Sequence, residues 1–225
     1  MANVELSKTG SIFVLTLNDP ATDNTYTTDV LKNYHACLDE IEGSKGNACL
    51  LITSNNDKTW CNGINLNWFI AQNQDERDVL VSAMERLYLR LSLLNMPTLG
   101  CLTGNTYAGG AIMACALDFR YMRADKGRFC FSEVDIKIPF TPLMTEVIRL
   151  LPNPHALHEM ALTGLRLGGE ECFARNIVDG IYPADSLRNA ALERAEFLAS
   201  KDRSTYTAIK HGLRRHLLTF RTDNN

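Results

Sequence analysis

Two segments of the chain combine residue types that can do chemistry together: Thr106-Tyr107-Ala108-Gly109-Gly110-Ala111-Ile112 and Ser132-Glu133-Val134-Asp135. Paired glycines at the start of a helix allow a ligand to approach the backbone closely. The first N–H groups of a helix have no internal partner, so with the helix dipole they attract negative charge. Asn62-Gly63-Ile64, in another loop after a core strand, can supply a second backbone donor. Two donors aimed at one oxygen form an oxyanion hole, and losing one typically costs about 2.7–4 kcal/mol of transition-state stabilisation. Glu133 lies among Phe129, Phe131, Val134 and Ile136. In apolar surroundings a carboxylate is desolvated, its pKa rises, and it can both accept and donate a proton near neutrality. Local pattern leaves alternatives open. Each glycine site also reads as a tight turn, and Glu133 also reads as an exposed edge-strand residue or a partner of Lys126 or Arg128.

The surrounding elements follow from periodicity. Residues 11–17 and 49–53 read as strands, and a polar turn at 18–24 follows the first. Val30, Leu31, Tyr34, Cys37, Leu38 and Ile41 recur at helical spacing, with Thr27 or Thr28 as the cap. Leu80, Met84, Leu87, Tyr88, Leu91 and Leu94 form the apolar stripe of a second helix that Pro97 stops. Residues 98–103 read as a third core strand, 109–117 as a helix, and 119–122 and 129–131 as short strands. From Pro142 onward the chain reads as mostly helical. The expected class is α/β, with a strand-rich core over 1–180 and a helical C-terminal region over 181–225 suited to oligomerisation.

Composition narrows the function classes. With 225 residues and 45% apolar side chains the chain can bury a sizeable core. A net charge of −3 without a dense basic stripe argues against nucleic acid as a partner. No apolar run is long enough for a transmembrane helix, and the start at Met1-Ala2-Asn3 lacks the basic and apolar regions of a signal peptide. The seven cysteines, an odd number without a C-x-x-C pair, sit mostly in apolar contexts, so the reading is a reducing cytoplasm without disulfides or zinc. The closing Thr222-Asp223-Asn224-Asn225 does not match a peroxisomal address of the S-K-L type.

Other residues that could carry chemistry have plainer readings. His155 and His158 form H-x-x-H on a helix without a completing ligand, so no metal site is expected. Cys61 reads as a small packing residue, and Trp60, Trp68 and Phe69 read as core anchors that could alternatively line an acyl channel. The basic run from Lys210 to His216 reads as a solvated helix face, with phosphate contact as the functional alternative.

The segments Trp60-Cys61-Asn62-Gly63-Ile64-Asn65-Leu66, Thr103-Gly104-Asn105-Thr106-Tyr107-Ala108-Gly109-Gly110-Ala111 and Phe131-Ser132-Glu133-Val134-Asp135 resemble, in order, the signatures of the crotonase (enoyl-CoA hydratase/isomerase) superfamily. The resemblance runs from the first strand to about Lys210. The Ser-Glu-Val-Asp form is most similar to the monofunctional 3-enoyl-CoA to 2-enoyl-CoA isomerases of β-oxidation. It implies a crotonase-like ββα spiral core, assembly as a homotrimer or a dimer of trimers, and an acyl-CoA thioester as substrate with no separate cofactor. By motif position it makes Ile64 and Gly109 the oxyanion donors and Glu133 the catalytic base. Cys61, Asn62, Gly63, Ile64 and Gly109 would lie along the CoA moiety. Hydratases of the superfamily carry a first glutamate at the position of Ile112, and dienoyl-CoA isomerases carry an acid at the position of Thr141. Both departures favour a one-base double-bond shift. Hydration, another reaction on this scaffold, and acyl-CoA binding without turnover are the alternatives. Asp135 reads as a structural hydrogen-bond partner.

Overall fold

The computed structural model describes residues 3–221. Strands β2 (Ile12–Leu17) and β3 (Cys49–Ser54) are buried along their whole length. Such continuously buried, mostly apolar runs suit parallel strands covered on both faces. They pair in parallel, and β5 (Thr98–Leu102), β7 (Phe119–Arg123) and β9 (Gly180–Tyr182) extend the sheet, again in parallel. β1 (Val4–Thr9) closes one edge antiparallel to β2, giving the order β1-β2-β3-β5-β7-β9. Only Val4 of β1 is buried, which is why this polar edge strand leaves little trace in the sequence.

A second sheet holds three very short strands, β4 (Thr59–Cys61), β6 (Asn105–Tyr107) and β8 (Phe129–Cys130), all parallel. Each follows a strand of the large sheet, and each leads to a helix. β3 and β4 precede α2 (Leu66–Ala71) and α3 (Gln74–Ser92); β5 and β6 precede α4 (Gly109–Ala116); β7 and β8 precede α5 (Glu133–Ile136). The repeated strand-strand-helix unit matches the expected ββα core. Strands of two or three residues carry too little periodicity to be read from sequence, yet this small sheet positions every candidate site residue.

The helix α1 (Thr28–Gly43) is capped by Thr27, whose side chain accepts from the Val30 N–H. It packs with α3 over the large core, where Leu31, Leu38, Leu80, Leu87 and Leu91 are fully buried. The other face of the sheet is covered by α9 (Ala184–Ala199). Leu187, Ala191, Ala195 and Leu198 of that helix meet Ile12, Val14, Cys49, Leu51, Leu99 and Cys101. In the chain between α5 and β9 come α6 (Pro142–Ile148), α7 (Pro154–Thr163) and α8 (Gly169–Ala174).

The basic segment on α10 (Arg203–Leu213) departs from its expected solvated face. Lys210 is buried, its Nζ 2.7 Å from Asp118 Oδ2, and it also donates to the carbonyls of Leu94 and Met96. Arg214 pairs with Asp118 Oδ1 at 3.0 Å and donates to the carbonyls of Ser92 and Ala116. These cations satisfy main-chain carbonyls where α3 and α4 end, so the segment fastens the C-terminal helix to the core. The phosphate-contact alternative loses Lys210 and Arg214 for the same reason. Among the described residues no helix is long and apolar enough to cross a membrane. The expectations drawn from Met1-Ala2 and from Thr222-Asp223-Asn224-Asn225 lie outside the described residues.

Candidate active site

The chain must leave β6 and enter α4 within one residue. The Ala108 N–H still belongs to the small sheet and donates to the Cys130 carbonyl at 3.0 Å. Ala108 then adopts φ 47° and ψ −124°, a strained conformation for a residue with a Cβ. This turn takes the next N–H, that of Gly109, out of the ladder. Among the described residues that N–H has no acceptor.

Both glycines are dictated by crowding. A Cβ on Gly110 would lie 2.2 Å from the Cys61 carbonyl oxygen, and one on Gly109 would lie 2.8 Å from the Tyr88 hydroxyl and 3.1 Å from Gly63 Cα. Gly63 itself has φ 72°, and its Cβ would fall 2.5 Å from the Gly109 nitrogen. The loop after β4 and the start of α4 therefore touch through bare backbone. The tight-turn reading of these glycines holds, and the turns set the backbones of the two segments against each other.

The second N–H lies in the β4 loop. Tyr26 bridges it: the Tyr26 N–H donates to the Gly63 carbonyl at 2.7 Å, and the Asn65 N–H donates to the Tyr26 carbonyl at 3.0 Å. Ile64 lies between these two bonds, with its own N–H turned away from Tyr26 and without an acceptor among the described residues. Asn65 continues as the cap of α2, accepting from the Trp68 N–H.

Ile64, Gly109 and Glu133 line one cavity of about 110 Å³, with Asn62 and Ile112. Val81 and Met84 of α3, Ile136 of α5, and Met144 of α6 complete an apolar wall. Glu133 is the one ionisable side chain among the lining residues described. It is 8% exposed, and its Oε2 has no hydrogen-bond partner among the described residues. Desolvation by burial pushes its pKa up to about 7. The buried reading of Glu133 thus replaces the exposed or ion-paired one; Arg128 is turned to Glu171, 3.8 Å away. Glu133 is the first residue of the single-turn α5, which ends at Lys137 with φ 60°. Asp135 consequently does not follow strand alternation; it lies outside the cavity, 3.5 Å from Arg166.

A wider cavity of about 460 Å³ adjoins the first through shared Asn62, Ile64, Leu66 and Ser132, and is otherwise bounded by Thr22, Asp23, Thr25, Asn65, Asn67 and Tyr107. A narrow apolar pocket thus opens onto a broad polar groove. Of the segment expected along a ligand, Asn62 and Ile64 line these cavities and Cys61 and Gly63 do not. Cys61 is fully buried, its thiol donates to the Asn24 carbonyl at 3.2 Å, and burial pushes that thiol up to about 11. The role of these two residues in the structure is to shape the loop from behind.

The remaining candidates sit elsewhere. Trp60 is buried in the core, with Trp68 and Phe69 packed against it. His155 and His158 are exposed on α7, and Glu159 is turned to Arg175. No cluster of three or more metal-ligating side chains is found among the described residues. Tyr88 and Tyr26, whose hydroxyls meet the Gly109 carbonyl, were not singled out by sequence. Tyr88 reads there only as one member of an apolar helical stripe.

The family model described as enoyl-CoA hydratase/isomerase matches residues 7–223. Enoyl-CoA delta isomerase 3 of Arabidopsis thaliana is 29% identical over 218 residues, covering 92% of this chain and 90% of that protein. Enoyl-CoA delta isomerase 2, peroxisomal, of the same plant is also 29% identical, with the same coverage. A short-chain-enoyl-CoA hydratase of Clostridium acetobutylicum is 25% identical over 88% of this chain and 76% of its own length. Among solved structures, an enoyl-CoA hydratase/isomerase family protein of Pseudomonas syringae superposes with a TM-score of 0.89 at 22% identity, over 96% of this chain and 92% of that one. A probable enoyl-CoA hydratase of Mycobacterium tuberculosis gives 0.88 at 20% identity, over 96% and 90%. With a family model spanning nearly the whole chain and these structures sharing its architecture, the protein belongs to the enoyl-CoA hydratase/isomerase family and has the crotonase fold.

Proposed function

We propose that this protein is an enoyl-CoA delta isomerase, moving the double bond of a 3-enoyl-CoA into conjugation as a 2-enoyl-CoA. The observation that carries the reading is a single buried carboxylate, Glu133, in a mostly apolar pocket that Ile64 and Gly109 also line, whose N–H groups have no acceptor among the described residues. The acyl group would occupy the narrow pocket, and the pantetheine arm of CoA the adjoining polar groove.

In the proposed reaction Glu133 takes a proton from C2, between the thioester and the double bond. The C–H electrons move into the thioester, and negative charge collects on its carbonyl oxygen. The Ile64 and Gly109 N–H groups hold that charge as a dienolate. Glu133, now protonated, returns the proton at C4; the C3–C4 double bond becomes C2–C3, and no atom is gained or lost. A base whose pKa lies near the working pH serves both transfers. Water addition asks for more, because a water molecule must be held and split beside the same enolate. Ile112, 1% exposed on α4, fills the wall where a second carboxylate would do this.

The test is a direct comparison of substrates. The wild-type protein is expected to convert 3-enoyl-CoA to the conjugated thioester at least about 100-fold faster than it hydrates 2-enoyl-CoA, since general acid–base help is worth about 10²–10⁴. Ile112→Glu should raise hydration and lower thermal stability, because it buries an acid. Comparable isomerisation and hydration rates in the wild type would contradict the reading, and binding of CoA thioesters without turnover would replace it with a carrier role.

A further inference from the structure

Gly109 faces a conflict built into its position. Contacts with Gly63, Tyr26 and Tyr88 exclude a Cβ, yet glycine is the residue least able to hold its own backbone dihedrals. The residue before it, Ala108, is strained; the peptide carrying the Gly109 N–H is held by the Ile112 N–H, which donates to the Ala108 carbonyl at 3.0 Å, while the Gly109 carbonyl belongs to the next peptide.

The far side of Gly109 is tied from outside the helix as well. The Tyr88 hydroxyl, buried on α3, donates to the Gly109 carbonyl at 3.0 Å. The Tyr26 hydroxyl lies 3.5 Å from the same oxygen and 3.4 Å from Met113 Sδ, while the Tyr26 main chain makes the two bonds that bracket Ile64. We propose that Tyr88, supported by Tyr26, is a positioning residue of the oxyanion hole: it locks Gly109 so that its N–H stays convergent with that of Ile64. This inference rests on the reading of Ile64 and Gly109 as oxyanion donors. Neither tyrosine lines the cavity, so neither touches substrate. Burial holds both phenols well above the ordinary tyrosine pKa, which keeps them protonated as donors throughout the working range.

The arrangement separates donating from positioning. Removing the Tyr88 hydroxyl leaves the Gly109 N–H and the Ile112-to-Ala108 bond in place but loosens the residue on its carbonyl side, and small misplacements of reacting groups cost up to about 10²-fold in rate. Tyr34 is the internal control. It is equally buried and stacks edge-on against Tyr26 with ring centroids 5.9 Å apart, but its hydroxyl makes no bond to Gly109 among the described residues.

The experiment compares Tyr88→Phe, Tyr26→Phe, their double variant and Tyr34→Phe by steady-state kinetics. The same proteins are titrated with 2,4-hexadienoyl-CoA, a conjugated thioester whose absorption moves to the red when its carbonyl is polarised. Expected are a kcat about tenfold lower in Tyr88→Phe and about 100-fold lower in the double variant, with KM changed less than about twofold and a smaller red shift of the bound probe. Tyr34→Phe should keep wild-type kcat and the full red shift. Should Tyr88→Phe not fold, Tyr26→Phe carries the same test, with about a threefold loss expected. A kcat in Tyr88→Phe no lower than in Tyr34→Phe, a loss confined to KM, or an undiminished red shift overturns the positioning role. Absence of any red shift in the wild type would instead overturn the oxyanion reading itself.

Discussion

At Glu133, burial without a counter-charge has two consequences of opposite benefit. The carboxyl is 8% exposed, one oxygen lacks a partner among the described residues, and its pKa rises from the ordinary glutamate value of 4.5 to about 7. As a base it must be ionised, so kcat/KM, which reports groups on the free enzyme, should rise through an apparent pKa near 7 and level off above it. For stability the sign is reversed. Between pH 4.5 and 7 the folded protein keeps a proton that the unfolded chain has lost, so stability falls as pH rises across this window. Complete expression of that shift amounts to about 3 kcal/mol. Glu133→Gln, which cannot ionise, should therefore be the more stable protein above pH 7 and lose this part of the pH dependence, as read from denaturant midpoints across pH. A variant equally stable or less stable at pH 8 would contradict the burial argument. The sequence showed the apolar neighbours that make Glu133 unusual. It did not show that the residue opens a helix, because a single turn of four residues has no periodicity to detect.

Among the elements, α4 links the site to the C-terminal region. Its first residue carries a proposed oxyanion donor, and its C-terminal end is closed by arginines: Arg120 donates to the Ala114 and Leu117 carbonyls, and Arg214 to Ala116. Asp118, just beyond that end, gathers Lys210, Arg214 and the Tyr206 hydroxyl. Removing one member of a buried ion network leaves its partners uncompensated, at a cost of about 3–5 kcal/mol. Asp118→Ala should show a loss of that size in urea unfolding, and adding Lys210→Met should recover part of it. Additive losses in the double variant would show that the pair does not interact. Helices α3 and α4 and the strands β2, β3, β5 and β7 were legible from their apolar stripes and runs. The basic stretch on α10 was misjudged, since a sequence does not reveal that three-dimensional neighbours are main-chain carbonyls at helix ends.

Across the whole molecule, the large sheet and its covering helices supply rigidity, and the small sheet places the chemistry. Strands β4, β6 and β8 end side by side, so their following residues, Asn62 to Ile64, Ala108 to Gly109 and Ser132 to Glu133, converge on one cavity. Three motifs separated by dozens of residues thereby become one site. Their order and content were readable in the sequence; their convergence required strands too short to announce themselves, and the tyrosines behind Gly109 were hidden within helical and loop patterns. The central claim is that one carboxylate, buried among apolar groups, moves the proton of a CoA thioester. The most direct measurement is turnover of 3-enoyl-CoA by Glu133→Gln beside the affinity of the same variant for a CoA thioester. The account predicts isomerisation reduced by at least about 10³-fold, as expected when the sole acid–base group is lost, with affinity within a few-fold of wild type; turnover at the wild-type rate would contradict it.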